Sequence, residues 1–125
     1  GNELQKEEIQ KYDGYIPVFK SEGDKWSFIK LDDNGRVIDV VEKIRVSDLG
    51  SIGLYYFKTW KDYKDIYLGY REEIKEKYKE VYIAPMYHYL IKKGKNIGYI
   101  ILKNQNCKEK TLDSFWKILY NMLVI

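Results

Sequence analysis

At 125 residues, 45% hydrophobic and 33% charged, the chain has the length and balance of one globular domain, which excludes a disordered tail. Its 22 basic and 19 acidic residues are interspersed and leave a net charge of +3, so no field strong enough to imply nucleic acid or a membrane surface as partner arises. One cysteine, Cys107, excludes an internal disulfide, and one histidine, His88, excludes a His-rich metal site. No apolar run approaches a membrane span and the opening residues do not read as a signal peptide, so the expected location is a reducing cytoplasm. The chain opens on Gly1-Asn2-Glu3 without Met, the mark of a cleavage scar or of a piece cut from something longer.

Asn2 to Lys11 is polar and reads as the end of a helix entering the domain. After the breaker Asp13-Gly14, Tyr15-Ile16-Pro17-Val18-Phe19 reads as a buried strand, with Pro17 directing it to a sheet edge or a bulge. Trp26 to Leu31 is a second strand. Asp32-Asp33-Asn34-Gly35, whose Asn and Gly accept positive φ cheaply, closes a hairpin onto Val37–Lys43. Beyond the loop Arg45–Asp48, Leu49 to Lys58 reads as one long strand, with Ile52, Leu54 and Tyr56 on one face and Gly53 and Tyr55 on the other.

The period then changes from 2 to 3.6. Thr59 with Asp62 resembles a capping box, and Tyr63, Ile66, Tyr67, Tyr70, Ile74 and Tyr78 follow at helical spacing. Tyr82 to Lys93 is a second helix, stopped by Gly94, and Lys95 to Lys103 is a strand. A last helix carries Leu112, Phe115, Trp116, Leu119, Met122 and Leu123. Four strands, two helices, a strand and a helix predict a single α/β domain, a mixed sheet with helices packed against it.

Neither glycine-rich phosphate cradle occurs: there is no G-x-x-x-x-G-K followed by Ser or Thr, and no G-x-G-x-x-G. His88, inside a tyrosine-rich helix, reads as a helix-face or partly buried residue, and Cys107, with no base at hand, as an ordinary thiol. No catalytic residue and no metal ligand is assigned. Three features remain. Glu42-Lys43 ends a strand, where an adjacent acid and base suit a sugar phosphate, although a charged strand end needs no ligand to explain it. Gly53, inside Gly50-Ser51-Ile52-Gly53, marks either close approach of a ligand or a bulge. Glu80-Val81-Tyr82-Ile83-Ala84-Pro85 opens a helix, and its proline and its acid both have structural explanations.

In order, Trp26-Ser27-Phe28-Ile29-Lys30-Leu31-Asp32-Asp33-Asn34-Gly35-Arg36-Val37, Val41-Glu42-Lys43, Gly50-Ser51-Ile52-Gly53-Leu54-Tyr55-Tyr56-Phe57 and Glu80–Pro85 resemble the bacterial sugar-phosphate nucleotidyltransferase family. The likeness is greatest to the variety found in capsule and surface-polysaccharide gene clusters, and runs from about Tyr12 to Ile101. That family has a D-x-x-G turn, a strand ending in E-K, a strand reading x-x-G-x-Y-x-F, and a G-E-x-Y-x-x-P segment.

The resemblance implies the C-terminal, sugar-phosphate-binding half of a Rossmann-like catalytic domain, inactive alone. Glu42 would hydrogen-bond the sugar, Lys43 would contact the phosphate of a sugar 1-phosphate, and Gly53 would let the sugar lie against the backbone. Glu80 would sit at the rim and Trp26 would flank the pocket. The ligand would be a sugar 1-phosphate or NDP-sugar, with Mg²⁺ needed by the longer parent.

The departures are Ile44 for the family's proline, Lys79 for the glycine before its acidic residue, and Asn104 to Leu112 in place of a W-x-x-x-G-T-P-x-D-L run. These leave open a degenerate, non-catalytic binding or assembly module that dimerises through an exposed sheet edge. Nucleic acid is disfavoured because Asp62, Asp65, Glu72, Glu73, Glu76 and Glu80 interrupt the Lys/Tyr helix.

Overall fold

The computed structural model describes residues 2–79 and 82–102. Glu80, Cys107 and the helix expected around Leu112–Leu123 lie outside the described residues. The elements are α1 (Asn2–Gln10), β1 (Gly14–Lys20), β2 (Ser27–Leu31), β3 (Val37–Glu42), β4 (Leu49–Ser51), β5 (Tyr56–Phe57), α2 (Trp60–Tyr78), α3 (Ile83–Lys92) and β6 (Ile97–Leu102). They form the expected mixed α/β arrangement. β1 is its spine: β6 runs parallel to it on one side, and β4 and β5 pair antiparallel with it, end to end, on the other. β2 joins β4 through the single pair Phe28–Gly50 and pairs antiparallel with β3. The sheet curls until the hairpin tip reaches the start of β6, where Arg36 Nη2 donates to Asn96 Oδ1 at 3.3 Å.

The hairpin forms at the tetrapeptide with the turn residues. The Asp32 carboxylate accepts from the Asn34 and Arg36 amides, both at 2.9 Å, and Gly35 takes φ +78°. Two expectations about strands are corrected. Pro17 lies on a strand paired on both sides, not at an edge. Its carbonyl accepts from Ile52 N–H at 3.3 Å, so its own nitrogen faces the stretch where β4 has ended and β5 has not begun. The single long strand from Leu49 to Lys58 is two short ones, because Gly53 takes φ +96° and breaks the ladder between Ser51 and Tyr56. The alternation survives the break: Ile52, Leu54 and Tyr56 pack with Ile9, Tyr15, Phe19 and Leu102, while Tyr55 and Phe57 pack on the opposite side.

That opposite side carries the main core, Ile16, Val18, Ile29 and Val40 against Ile66 and Ile74 of α2 and Met86, Tyr87 and Leu90 of α3. α2 starts where Thr59 Oγ1 accepts from Asp62 N–H at 3.1 Å and ends at Lys79, in the left-handed region at φ +67°. Lys79 stands where the resembled family has glycine, and it adopts the conformation that glycine reaches without strain. α1 covers the other face through Ile9.

Tyr87 ties the layers together. It is fully buried, edge-on to Tyr55 at 5.6 Å and to Phe57 at 5.0 Å. Its hydroxyl accepts from Tyr15 N–H at 3.3 Å and donates to the Tyr56 carbonyl. Tyr15 and Tyr56 are ladder partners, so one phenol from α3 is seated at the β1–β5 junction. Removing it in Tyr87→Phe takes away both hydrogen bonds from α3 to the junction and should lower the unfolding free energy by about 1–3 kcal/mol in urea titration. An unchanged midpoint would show that β1 and β5 need no help from the hydroxyl.

The phenols also set the alkaline limit. Burial pushes the Tyr87 phenol well above its ordinary value, and burial, with Glu8 and Tyr12 nearby, pushes Tyr15 up to about 12. Unfolded tyrosines ionise near 10. Below that these groups do not alter stability. As pH rises from about 10 towards 12 the unfolded state holds fewer protons, and stability falls. Urea midpoints should stay level to about pH 10 and then decline, with phenolate absorbance from these rings appearing only on unfolding.

Candidate functional site

The open end of the β2–β3 hairpin gathers the polar residues. Ser27 and Glu42 are ladder partners, and Ser27 Oγ donates to Glu42 Oε2. Glu42 is buried and, like Ile29 and Val40, faces the α2–α3 side by strand alternation. Ser51 and Tyr55 lie on that side too. Burial pushes the Tyr55 phenol up, hydrogen bonds with Ser27 and Ser51 oppose the shift, and the Glu42 charge adds to it. Gly53 N–H then donates to Ser51 Oγ at 3.0 Å. Glu42, Ser27, Tyr55, Ser51 and Gly53 thus form a continuous polar seam.

Lys43 follows Glu42, and on a continuing strand its side chain would point to the opposite face. It does not continue. Its φ is +57°, and its N–H donates to the Trp26 carbonyl at 2.9 Å. The turn carries the side chain to the start of α3, where Nζ lies 3.4 Å from the Tyr82 hydroxyl and 5.1 Å from its ring centroid. Among the described non-glycine residues only Lys43 and Lys79 have positive φ. Lys79 is explained as a helix C-cap, whereas Lys43 takes the left-handed conformation in the turn that follows β3.

Glu42 and Lys43 are chain neighbours at the end of β3, and Gly53 is linked to Glu42 through Ser51, Tyr55 and Ser27. Beside Gly53 a Cβ would meet nothing within 4 Å among the described residues, so its glycine answers to backbone conformation and leaves open space there. The tight approach belongs to Gly50, whose Cβ would come within 2.7 Å of Ser21 Oγ. Trp26 joins the site only through its backbone. Its indole lies on the α1 side, edge-on to Phe19 at 5.0 Å, with Nε1 donating to the Glu22 carbonyl at 2.9 Å. Glu80 lies outside the described residues.

No family model matches the sequence, and no curated protein matches it. Solved structures do. The nucleoside-diphosphate-sugar pyrophosphorylase from Vibrio cholerae RC9 aligns over 76% of this chain and 41% of its own, with 42% identity and a TM-score of 0.69. The chain has a nucleotidyltransferase-like fold. A glucose-1-phosphate thymidylyltransferase from Bacillus anthracis, in complex with a sucrose, aligns over 80% of this chain and 39% of its own, with 14% identity and a TM-score of 0.54, a likeness of fold alone. This nucleotidyltransferase-like chain thus spans about two fifths of the length of either.

Within the nucleotidyltransferase-like fold, no group of three or more His, Cys, Asp or Glu among the described residues could hold a metal ion, and Glu42 is engaged by Ser27. No helix among the described residues is long and apolar enough to cross a membrane. His88 is half-exposed, as its helical setting suggested, and its Nδ1 lies 2.8 Å from Asp39 Oδ1, tying α3 to β3.

Ser27, Ser51, Tyr55 and Tyr82 were not singled out from the sequence. Parity along the strands placed Ser27 and Glu42 on one face and Trp26 on the other, and was the available signal. Tyr82 is the tyrosine of the Glu80–Pro85 segment, but only the left-handed turn at Lys43 brings the lysine to it. A glycine at 43 keeps that turn without strain, so Lys43→Gly should leave the urea midpoint equal to or above wild type while removing the ammonium. A drop of more than about 1 kcal/mol would mean that the side chain holds the fold together.

Proposed function

We propose that the chain is the sugar-phosphate-holding part of a sugar-phosphate nucleotidyltransferase, with no turnover of its own. The observation that carries this is the left-handed Lys43, which follows the buried Glu42 at a strand end and turns its ammonium to Tyr82, with open space next to Gly53. A carboxylate accepts from sugar hydroxyls and an ammonium meets a phosphate as a point charge. Glu42, already held by Ser27, orients the sugar. Lys43 takes the phosphate of a sugar 1-phosphate or the sugar-side phosphate of an NDP-sugar. Gly53 leaves room for the sugar ring, Glu80 is assigned to the rim, and Trp26 contributes the carbonyl that fixes Lys43.

In the longer parent, a phosphate oxygen of the sugar 1-phosphate attacks the α-phosphorus of a nucleoside triphosphate. The bond to the β-phosphate breaks and pyrophosphate leaves. This chain's share is to bind and orient the attacking phosphate. The nucleotide and the Mg²⁺ are assigned to residues outside those described, and the setting is cytoplasmic surface-polysaccharide assembly.

A ³¹P NMR titration of the chain with a panel of sugar 1-phosphates tests this. Shift and broadening are expected at millimolar ligand, with affinity at least about tenfold weaker in Lys43→Ala, the scale of a lost charge-assisted contact. No perturbation by any sugar 1-phosphate would count against the proposal.

One observation favours a second reading, an assembly module. β6, Ile-Gly-Tyr-Ile-Ile-Leu, pairs only with β1 among the described residues, and Ile101 is exposed. Light scattering decides it: a homodimer at high concentration supports edge pairing, and a strictly monomeric species removes it.

A further inference from the structure

We infer that Tyr82 is a positioning residue for Lys43 and thereby sets how tightly the site holds a phosphate monoester. The inference rests on the reading of Lys43 as the phosphate contact.

Tyr82 occupies the N-cap position of α3, with φ −83° and ψ 152°, and makes no side-chain capping hydrogen bond. Ser, Thr, Asp and Asn are the residues that serve a helix start, and this chain uses one at α2, where Thr59 caps. A tyrosine at the start of α3 therefore does nothing for the helix it begins, and a locally unfavourable residue points to a task elsewhere.

Its contacts show the task. The hydroxyl lies 3.4 Å from Lys43 Nζ, and the ring centroid 5.1 Å from it. The ring is braced edge-on by Tyr78 at 6.2 Å and 85°, from the last turn of α2. A lysine side chain is long, flexible and strongly hydrated, and an unsupported one visits many positions. Here the left-handed backbone at Lys43 sets its direction, and the ring face and phenol oxygen hold its end. The ammonium donates to the phenol oxygen, so the phenol acts on a ligand through the lysine it holds.

The test uses the full chain and its Tyr82→Leu, Tyr82→Phe, Lys43→Ala and Lys43→Ala/Tyr82→Leu variants, titrated with a sugar 1-phosphate and with the matching unphosphorylated sugar. Tyr82→Leu should weaken sugar 1-phosphate binding about three- to tenfold and leave the unphosphorylated sugar unchanged. Tyr82→Phe, which keeps the ring, should lose less. In the Lys43→Ala background Tyr82→Leu should have no further effect, since its action runs through the lysine. The upfield ring-current shift of the Lys43 ε-methylene, read without ligand, should vanish in Tyr82→Leu and persist in Tyr82→Phe.

Equal losses from Tyr82→Leu with and without Lys43, or no loss with Lys43 present, would overturn the positioning role alone. Failure of the wild-type chain to bind any sugar 1-phosphate, or indifference to Lys43→Ala, would instead overturn the underlying reading and this inference with it.

Discussion

A single phenol holds the two layers of this protein in register. The Tyr87 hydroxyl bridges Tyr15 N–H and the Tyr56 carbonyl in the middle of the sheet, so α3 is fastened to β1 and β5 at one buried point. An apolar side chain could fill the same volume but would lose both hydrogen bonds from α3 to the sheet. Around it the rings of Tyr55, Phe57 and Tyr63 pack edge-on in series, so the junction is rigid in direction as well as sealed.

What α3 presents depends on that anchor. Asp39 and His88 join α3 to β3, while the start of the helix carries Tyr82 to Lys43. The site is thus assembled across the layer boundary: carboxylate, serines and Tyr55 come from the sheet, and the aromatic support of the ammonium comes from the helix. The break at Gly53, which interrupts an otherwise good strand, keeps the space beside the seam open.

The elements legible in the sequence are those decided by neighbours a few residues apart. Asp32 to Gly35 close the hairpin through Asp32's own bonds to Asn34 and Arg36, and Thr59 starts α2 through Asp62. Pro17 and the strand after Asp48 depart from the local pattern because their outcome lies with partners far along the chain. Proline is tolerated in the middle of the sheet only because the neighbouring strand is interrupted opposite it, and that interruption is made at Gly53. For the site, Glu42, Lys43 and Gly53 stood out as charges and a glycine at a strand end. Ser27, Ser51 and Tyr55 carry no local signal until the fold joins them in one seam with Glu42.

By itself, then, the sequence determined one α/β domain, the positions of its turns and helix starts, and the pairing of an acid with a base at the end of β3. These follow from φ preferences, capping and periodicity, which act within a turn or two of chain. Only the tertiary structure decided that Trp26 turns its indole away from that site, that Lys43 folds back in the left-handed region, and that Tyr82 receives it. The reason is one of range. The direction of a side chain at a strand end is set by what packs beside it, and here that partner is 39 residues away along the chain.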